Sequence, residues 1–209
     1  MANDGAVSDD SVVSLDDAAV LIDEIRRLQV KLATYERRLE ELSQLAHRDS
    51  LVDVPNRRAF IASLERLIGR VNRYGGSAAM LFVDVDGLKA INDSFGHPAG
   101  DKALLEVGAL LVATVRNSDV VGRLSGDEFG ILLEHADELS AWQTALRIDE
   151  EVAGAQIAVD GTSIPLSVAV GATTVYPTDT PNDVISRADR AMYRFKNVSA
   201  GRPLIAADY

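Results

Sequence analysis

Apolar residues recur at alternating intervals of three and four near the start of the chain. They are Ala18, Leu21, Ile25, Leu28, Leu32, Tyr35, Leu39, Leu42 and Ala46, with charged residues at many positions between them. This heptad repeat contains no Pro or Gly, so it predicts one long helix over residues 15–46. Because the apolar stripe is narrow, it favours a parallel coiled-coil homodimer. A helix that packs on its own domain is the alternative.

The pattern changes to mixed helix and strand from residue 47. Helical periodicity covers 55–73, 101–115, 139–152 and 182–196, and short apolar runs predict strands at 79–85, 120–124, 129–133, 157–159 and 163–170. Turn residues predict hairpins at Ser125–Glu128 and at Asp160-Gly161. We therefore expect an α+β domain with a mixed β-sheet flanked by helices over residues 47–209. The small, acidic residues 1–14 predict a disordered tail.

Charge and composition narrow the functions that this chain can have. It has 209 residues, a formal net charge of −11 and no cysteine. An acidic balance disfavours binding to nucleic acid and to anionic lipid, and the absence of cysteine excludes disulfides and thiolate metal sites. No apolar run is long enough to span a membrane, and no signal-peptide pattern is present. We expect a cytoplasmic protein without nucleic-acid or membrane partners.

A buried strand predicted at 79–85 runs into closely spaced polar residues. Asp84 and Asp86 are followed by Lys89 and then by Asn92. Carboxylates at a strand end can hold a hard cation such as Mg²⁺, and a lysine one helical turn later can meet phosphate. The alternative is that an aspartate simply caps the next helix. The same two alternatives apply to Asp101, which follows a Gly/Pro-containing loop and is predicted to stand at a helix entry.

The hairpin predicted after residue 124 carries two adjacent carboxylates, Asp127 and Glu128. Like charges this close repel unless a cation offsets them, and Gly-Asp-Glu is unusual chemistry for a simple turn. A turn without function is the alternative interpretation. The segment thus gives a second group of candidate metal ligands.

Together these segments resemble the GGDEF family of diguanylate cyclases over about residues 47–202. The matching motifs are Asp49-x-Leu51, Pro55-Asn56-Arg57-Arg58, Asp84-x-Asp86-x-x-Lys89-x-x-Asn92-Asp93, Gly96-His97-x-x-Gly100-Asp101, the signature Ser125–Phe129, Ser167-x-x-x-Gly171 and Ala188-Asp189-x-Ala191-Met192-Tyr193. The resemblance implies a nucleotidyl-cyclase-like fold with a βαββαβ-type core. It also implies an enzyme that condenses two GTP molecules into cyclic di-GMP and releases two pyrophosphates.

The resemblance assigns a role to each matching residue. Asp84, Asp127 and the backbone carbonyl of Val85 would bind two Mg²⁺ or Mn²⁺ ions, and Glu128 would complete that site or help to deprotonate the attacking hydroxyl. The substrate-binding residues would be Asn92 and Asp101 on the guanine, Lys89, Lys196 and Arg202 on the triphosphate, and Ser125 and Gly126 of the signature. Two metal ions suit such a transfer because they neutralise phosphate and stabilise the leaving group.

The resemblance also implies control by the product and a homodimer. Arg116 and Asp119, with Arg147 on the next helix, would form an inhibitory site for cyclic di-GMP. Without the resemblance, Arg116 and Asp119 are an ordinary surface pair. Each protomer would hold one GTP, so two sites must face each other, and a coiled coil through residues 15–46 would raise their effective concentration.

Two departures from the family pattern leave other functions open. Ser125 stands where the family has glycine, and we expect a cost of about 1 kcal/mol if its φ is positive. Val52-Asp53 replaces the family's Thr-Gly, which puts the positioning role of that loop in doubt. The alternatives are a weakly active or inactive domain that acts as a cyclic di-GMP receptor, or a signalling scaffold.

Overall fold

The computed structural model describes residues 15–197 and 204–205. The chain divides into two compact units, Met1–Ala46 and His47–Tyr209. The acidic tail expected over residues 1–14 lies outside the described residues, so its disorder stays a prediction.

Helix α1 (Leu15–His47) confirms the long helix that the heptad pattern predicts. The heptad side chains Leu21, Ile25, Leu28, Leu32 and Tyr35 are each between 53% and 58% exposed in the single chain. An apolar stripe left in water along several turns is typical of a helix that pairs with another. The coiled-coil homodimer itself stays a prediction.

The second unit alternates helices with strands and hairpins. Its elements are α2 (Arg57–Tyr74), β1 (Ala78–Val85), α3 (Leu88–Phe95), α4 (His97–Thr114), β2 (Val120–Ser125), β3 (Glu128–Glu134), α5 (Glu138–Ala153), β4 (Gln156–Val159), β5 (Thr162–Pro165), β6 (Val168–Thr174), α6 (Pro181–Asn197) and β7 (Leu204–Ile205). The main sheet has the order β2-β3-β1-β6-β7 within the described residues. β1 is antiparallel to β3 and β6, while β7 is parallel to β6. The predicted mixed sheet and α+β class are confirmed.

Strand β1 is buried on both faces because helices cover both sides of the sheet. Its alternate residues Ala79, Leu81 and Val83 join a core with α4 and α5. Met80 and Phe82 point to the other side and join a core with α2 and α6. The strand is therefore held from both faces, which fixes the position of the carboxylates at its end.

The structure corrects the expected helix boundary near Asp101. Residues 88–95 form a separate helix, α3, and α4 already begins at His97, so Asp101 lies inside α4 instead of at its entry. Gly96 makes the break with a φ of 81°, which glycine adopts without strain. Pro98 then suits the first turn of α4, since its φ is preset for a helix and its missing N–H has no helical partner there.

Candidate active site

The two acidic segments meet at one end of the main sheet. Asp84 on β1 lies opposite Glu128 on β3 in the antiparallel register. The backbone N–H of Val85 donates a hydrogen bond of 3.0 Å to the carbonyl of Asp127. Carboxylates that are more than 40 residues apart in sequence are therefore brought together by strand pairing.

The electrostatics of this cluster favour a cation. Burial raises the pKa of Asp84; an ion pair with Lys196 acts in the opposite direction, and nearby Asp127 and Asp86 raise the pKa further. The Lys196 ammonium contacts the Asp84 carboxylate and lies 3.6 Å from that of Asp86. Burial lowers the pKa of Lys196, but the hydrogen bonds and negative charges of Asp84 and Asp86 together outweigh this effect and raise it overall. A positive charge is thus already stabilised beside Asp84, so the position fits a metal cation.

The helix-cap interpretation of these aspartates is wrong. The N-cap residues of α3 and α4 are Gly87 and Gly96, and neither helix has a side-chain cap hydrogen bond. Asp86 instead receives a hydrogen bond of 3.2 Å from the hydroxyl of Ser167. The local helix ends therefore give no reason for carboxylates at these positions.

Asn92 and Gly100 form a small polar cradle between α3 and α4. Asn92 Oδ1 is buried and accepts no hydrogen bond from any residue that the structure describes. A Cβ at position 100 would lie 2.1 Å from this oxygen, so only glycine leaves it room. An orphaned acceptor costs free energy unless a ligand supplies a donor, and the N–H groups of guanine are such donors. Asp101, the residue after Gly100, is exposed.

Ser125 does not have the positive φ that would make serine costly at this position. It ends β2 in strand conformation, and it is not among the described non-glycine residues with positive φ, which are His135 and Asp160. The shift in register between Arg123 and Ser125 absorbs the irregularity of the turn. The Ser125 hydroxyl donates a hydrogen bond to the Glu128 carboxylate. The serine therefore fits the turn and also contacts a predicted catalytic side chain.

Sequence reasoning missed one positioning network beside the signature hairpin. The guanidinium of Arg123 donates two hydrogen bonds to the carbonyl of Gly126, at 3.1 and 2.7 Å, and a third of 2.9 Å to Asp49. Asp49 also accepts from the backbone N–H groups of Leu51 and Val52, so it orders the loop after α1. The sequence signals were Arg123, two residues before the signature, and the motif Asp49-x-Leu51, but neither indicated that the two side chains pair. Its partner lies 74 residues away.

The three residues predicted to bind the inhibitory product line one cavity. Arg116, Asp119 and Arg147 surround a volume of about 140 Å³ together with His135. Asp119 accepts from the backbone N–H groups of Arg116 and Glu134, which joins the turn after α4 to β3. Arg147 donates a hydrogen bond of 3.0 Å to the carbonyl of Thr114. Two guanidinium groups on different elements therefore border the same space.

The other predicted site residues are either exposed or outside the described residues. Lys89 is exposed on α3, Gly126 is exposed at the hairpin tip, and Arg202 lies outside the described residues. No group of three or more His, Cys, Asp or Glu side chains in the described ranges could hold a metal ion by itself. Mg²⁺ is often held by one or two carboxylates together with substrate phosphates, so Asp84 and Asp127 still suit it. No helix of residues 15–197 has the length and hydropathy of a membrane span.

Comparison with known protein families identifies the family of this chain. The family model described as "Diguanylate cyclase, GGDEF domain" matches residues 46–202. The chain belongs to the GGDEF family. The family's signature pentapeptide corresponds to Ser125–Phe129, at the tip of the β2–β3 hairpin.

Curated GGDEF relatives and solved GGDEF structures are similar over most of the chain. Diguanylate cyclase TpbB of Pseudomonas aeruginosa is 36% identical over 197 residues, which is 91% of this chain and 44% of TpbB. The crystal structure of the TpbB GGDEF domain has a TM-score of 0.72 and 37% identity, over 77% of this chain and 95% of that one. The coiled coil and GGDEF domain of DgcB from Caulobacter crescentus, solved with c-di-GMP, has a TM-score of 0.83. It covers 89% of this chain and 99% of that one at 23% identity, so it supports the fold alone. The chain spans less than half of TpbB.

Proposed function

We propose that the chain is a diguanylate cyclase that condenses two GTP molecules into cyclic di-GMP with release of two pyrophosphates. The observation that carries the proposal is the meeting of β1 and the signature hairpin, where the N–H of Val85 donates a hydrogen bond to the carbonyl of Asp127 and the charge of Asp127 helps to raise the pKa of Asp84. The orphaned Asn92 oxygen beside Gly100 supports guanine as the base, because it needs an N–H donor. The diguanylate cyclases among the curated relatives support the same reaction.

Each side chain has a defined task in this proposal. Asp84 and Asp127, with the Val85 carbonyl, would hold two Mg²⁺ or Mn²⁺ ions, which supply charge neutralisation on the phosphates and a more acidic attacking hydroxyl. Glu128 accepts the proton of the 3′-hydroxyl or completes the metal site. Asn92 and Asp101 accept from the guanine N–H groups and so orient the nucleotide.

The lysines and the signature turn act on the triphosphate and its position. Lys89, Lys196 and Arg202 neutralise the pyrophosphate as it leaves. Lys196 has to exchange the Asp84 carboxylate for phosphate when the metal ions and GTP bind. Arg123 holds the carbonyl of Gly126 and thereby fixes the turn that carries the acidic pair.

A homodimer completes the active site because one domain holds only one GTP. The exposed apolar stripe of α1 supports pairing through residues 15–46, which would keep two domains at high effective concentration. The shared cavity of Arg116, Asp119 and Arg147 supports feedback inhibition by cyclic di-GMP. Guanidinium groups suit this ligand, since their planar fork can grip phosphate or the guanine edge.

The receptor and scaffold alternatives had rested on two sequence departures. Ser125 ends β2 without a positive φ, and the loop at Val52-Asp53 is tied to Arg123 through Asp49. Neither departure disturbs the site, so nothing in its geometry favours an inactive domain over an enzyme.

Substitution of Asp127 by Asn tests the proposed reaction. We expect wild-type protein with GTP and Mg²⁺ to form cyclic di-GMP, and Asp127→Asn to lose at least about 100-fold in rate because a metal ligand is neutralised. Asp160→Asn is the matched control, since Asp160 is exposed in the β4–β5 turn at a φ of 49° that asparagine also tolerates. Product is measured by chromatography. Absence of cyclic di-GMP from the wild type, or equal rates for the two variants, contradicts the proposal.

A further inference from the structure

A histidine lines the cavity that we assign to the inhibitory product. His135 immediately follows β3 and borders the cavity of Arg116, Asp119 and Arg147. Its side chain is exposed, and its φ of 53° turns the chain from β3 toward α5. Asparagine and aspartate tolerate this left-handed conformation as well as histidine does, so the turn does not specifically require an imidazole.

The acidic groups around His135 are engaged with other partners. Both carboxylate oxygens of Asp119 accept backbone hydrogen bonds. Glu134, on β3, forms an ion pair with Arg70 of α2. Asp137 accepts hydrogen bonds from Ser140 at the start of α5. The other charged groups that line the cavity are Arg116 and Arg147, both positive.

We propose that His135 is a further binding residue for cyclic di-GMP and makes product inhibition stronger as the pH falls. The inference rests on the inhibitory site proposed above. A neutral imidazole can donate one N–H to a phosphate oxygen or to the guanine edge, whereas the imidazolium donates two and adds a positive charge. The ligand carries two phosphodiester groups that stay ionised across this range, so it binds an imidazolium at this position more tightly than a neutral imidazole.

Only three histidines could give the binding of cyclic di-GMP a histidine-dependent response to pH. The sequence has three, at positions 47, 97 and 135, and histidine is the side chain whose ordinary charge change falls between pH 5 and 8. His47 and His97 are exposed elsewhere and do not line this cavity. A change in product affinity over this pH range that is lost when His135 is substituted is therefore assigned to His135.

Calorimetric titration of cyclic di-GMP into the full chain tests the inference at pH 5.5 and pH 8.0. An excess of an unreactive GTP analogue keeps the nucleotide site filled. We expect wild-type binding to be about fivefold tighter at the lower pH, as one added charge near phosphate at high dielectric would give. His135→Asn, which keeps the backbone preference, should bind with the same affinity at both pH values. His47→Asn is the matched control and should keep the wild-type pH dependence.

Each outcome has a separate meaning. Wild-type binding that does not change with pH, or an unchanged pH dependence in His135→Asn, overturns the role of His135 and leaves the inhibitory site standing if Arg116→Ala abolishes binding. Failure of the wild type to bind cyclic di-GMP at either pH overturns both the inhibitory site and the inference. Turnover is measured in parallel without added product. A failure of the proposed cyclase activity is thereby distinguished from a failure of the inhibitory site or of the inference.

Discussion

Two partly buried aspartates show how local partners decide whether the pKa of a carboxyl is raised or lowered. Burial disfavours ionisation of Asp49, but the N–H of Val52, the Arg123 guanidinium and the N–H of Leu51 outweigh it and lower its pKa. Burial also disfavours ionisation of Asp84, and there the single cation Lys196 does not compensate, so its pKa is raised. Asp49 is therefore a structural carboxylate, and Asp84 is one that the fold leaves in need of a cation.

The two aspartates should have opposite effects on stability at neutral pH. The lowered pKa of Asp49 means that its ionised form stabilises the fold above the ordinary aspartate pKa of 3.8, and that this stability is lost as the pH falls through the folded-state pKa. The raised pKa of Asp84 means that the folded chain keeps a proton that the unfolded chain has lost, so stability falls as the pH rises from 3.8 through the folded-state pKa.

Thermal melts in EDTA test whether ionised Asp49 stabilises the folded chain and ionised Asp84 destabilises it. Asp49→Asn should cost about 1–3 kcal/mol at pH 7, because a partly buried guanidinium loses its charged partner. Asp84→Asn should be as stable as the wild type or up to about 1 kcal/mol more stable, which is about 2–4 °C in Tm for a chain of this size. Both differences should shrink toward pH 3. Equal destabilisation by the two substitutions at pH 7 contradicts the assignment.

At the scale of elements, two glycines differ in how closely atoms of other elements approach them. A Cβ at Gly171 on β6 would lie 2.2 Å from the backbone nitrogen of Met192 on α6. Backbone atoms cannot move aside as a flexible side chain can, so α6 packs directly on this strand. A Cβ at Gly69 on α2 would have no neighbouring atom of the described residues within 4 Å. Glycine at position 69 thus has no packing role.

Alanine at these two positions should change stability in opposite directions. Gly69→Ala should stabilise the domain by about 0.5–1 kcal/mol, because alanine favours the helix and fills open space. Gly171→Ala should destabilise it by about 1–3 kcal/mol through overpacking of α6 against β6. Denaturant midpoints of the two variants test this, each serving as the control for the other. A loss of stability in Gly69→Ala would mean that an unseen contact covers α2 at that point.

At the scale of the whole molecule, a helical unit precedes a domain that, in the proposed reaction, would bind one of the two GTP molecules. The heptad side chains that the structure describes, from Leu21 to Tyr35, are exposed in the single chain, which leaves apolar area available for a second copy. Val30 is also exposed, at 67%, but it stands off the heptad stripe. The helix thus supplies both a test position and a control of similar chemistry.

A charge in the stripe should uncouple the two domains of the proposed dimer. We expect Leu28→Asp to convert the dimer to a monomer in light-scattering chromatography and to lower turnover at least about tenfold at dilute protein, because the second half-site loses its effective concentration. Part of the rate should return at high protein concentration. Val30→Asp should remain dimeric and active. A monomeric wild type, or dimer loss in both variants, contradicts pairing through the stripe.

Most of the secondary structure and the family could be predicted from the sequence, but several positions could not. Residues 88–95 were not recognised as a helix because eight residues bounded by Gly87 and Gly96 carry too little periodicity. The sequence left open whether Ser125 has a positive φ, and the structure places it at the end of a strand after a register shift in the hairpin. The Asp49–Arg123 pair joins residues 74 positions apart, so no local pattern could indicate it.

The sequence alone determined most of the helices and strands, the heptad stripe and the acidic motifs, because these depend on local periodicity and on the spacing of residue types. Only the tertiary structure decided that Lys196 pairs with Asp84, that Asn92 Oδ1 is orphaned beside Gly100, and that His135 shares a cavity with Arg116 and Arg147. Those contacts join residues from different elements. They form when strands pair and helices pack on the sheet, and a one-dimensional pattern does not encode them.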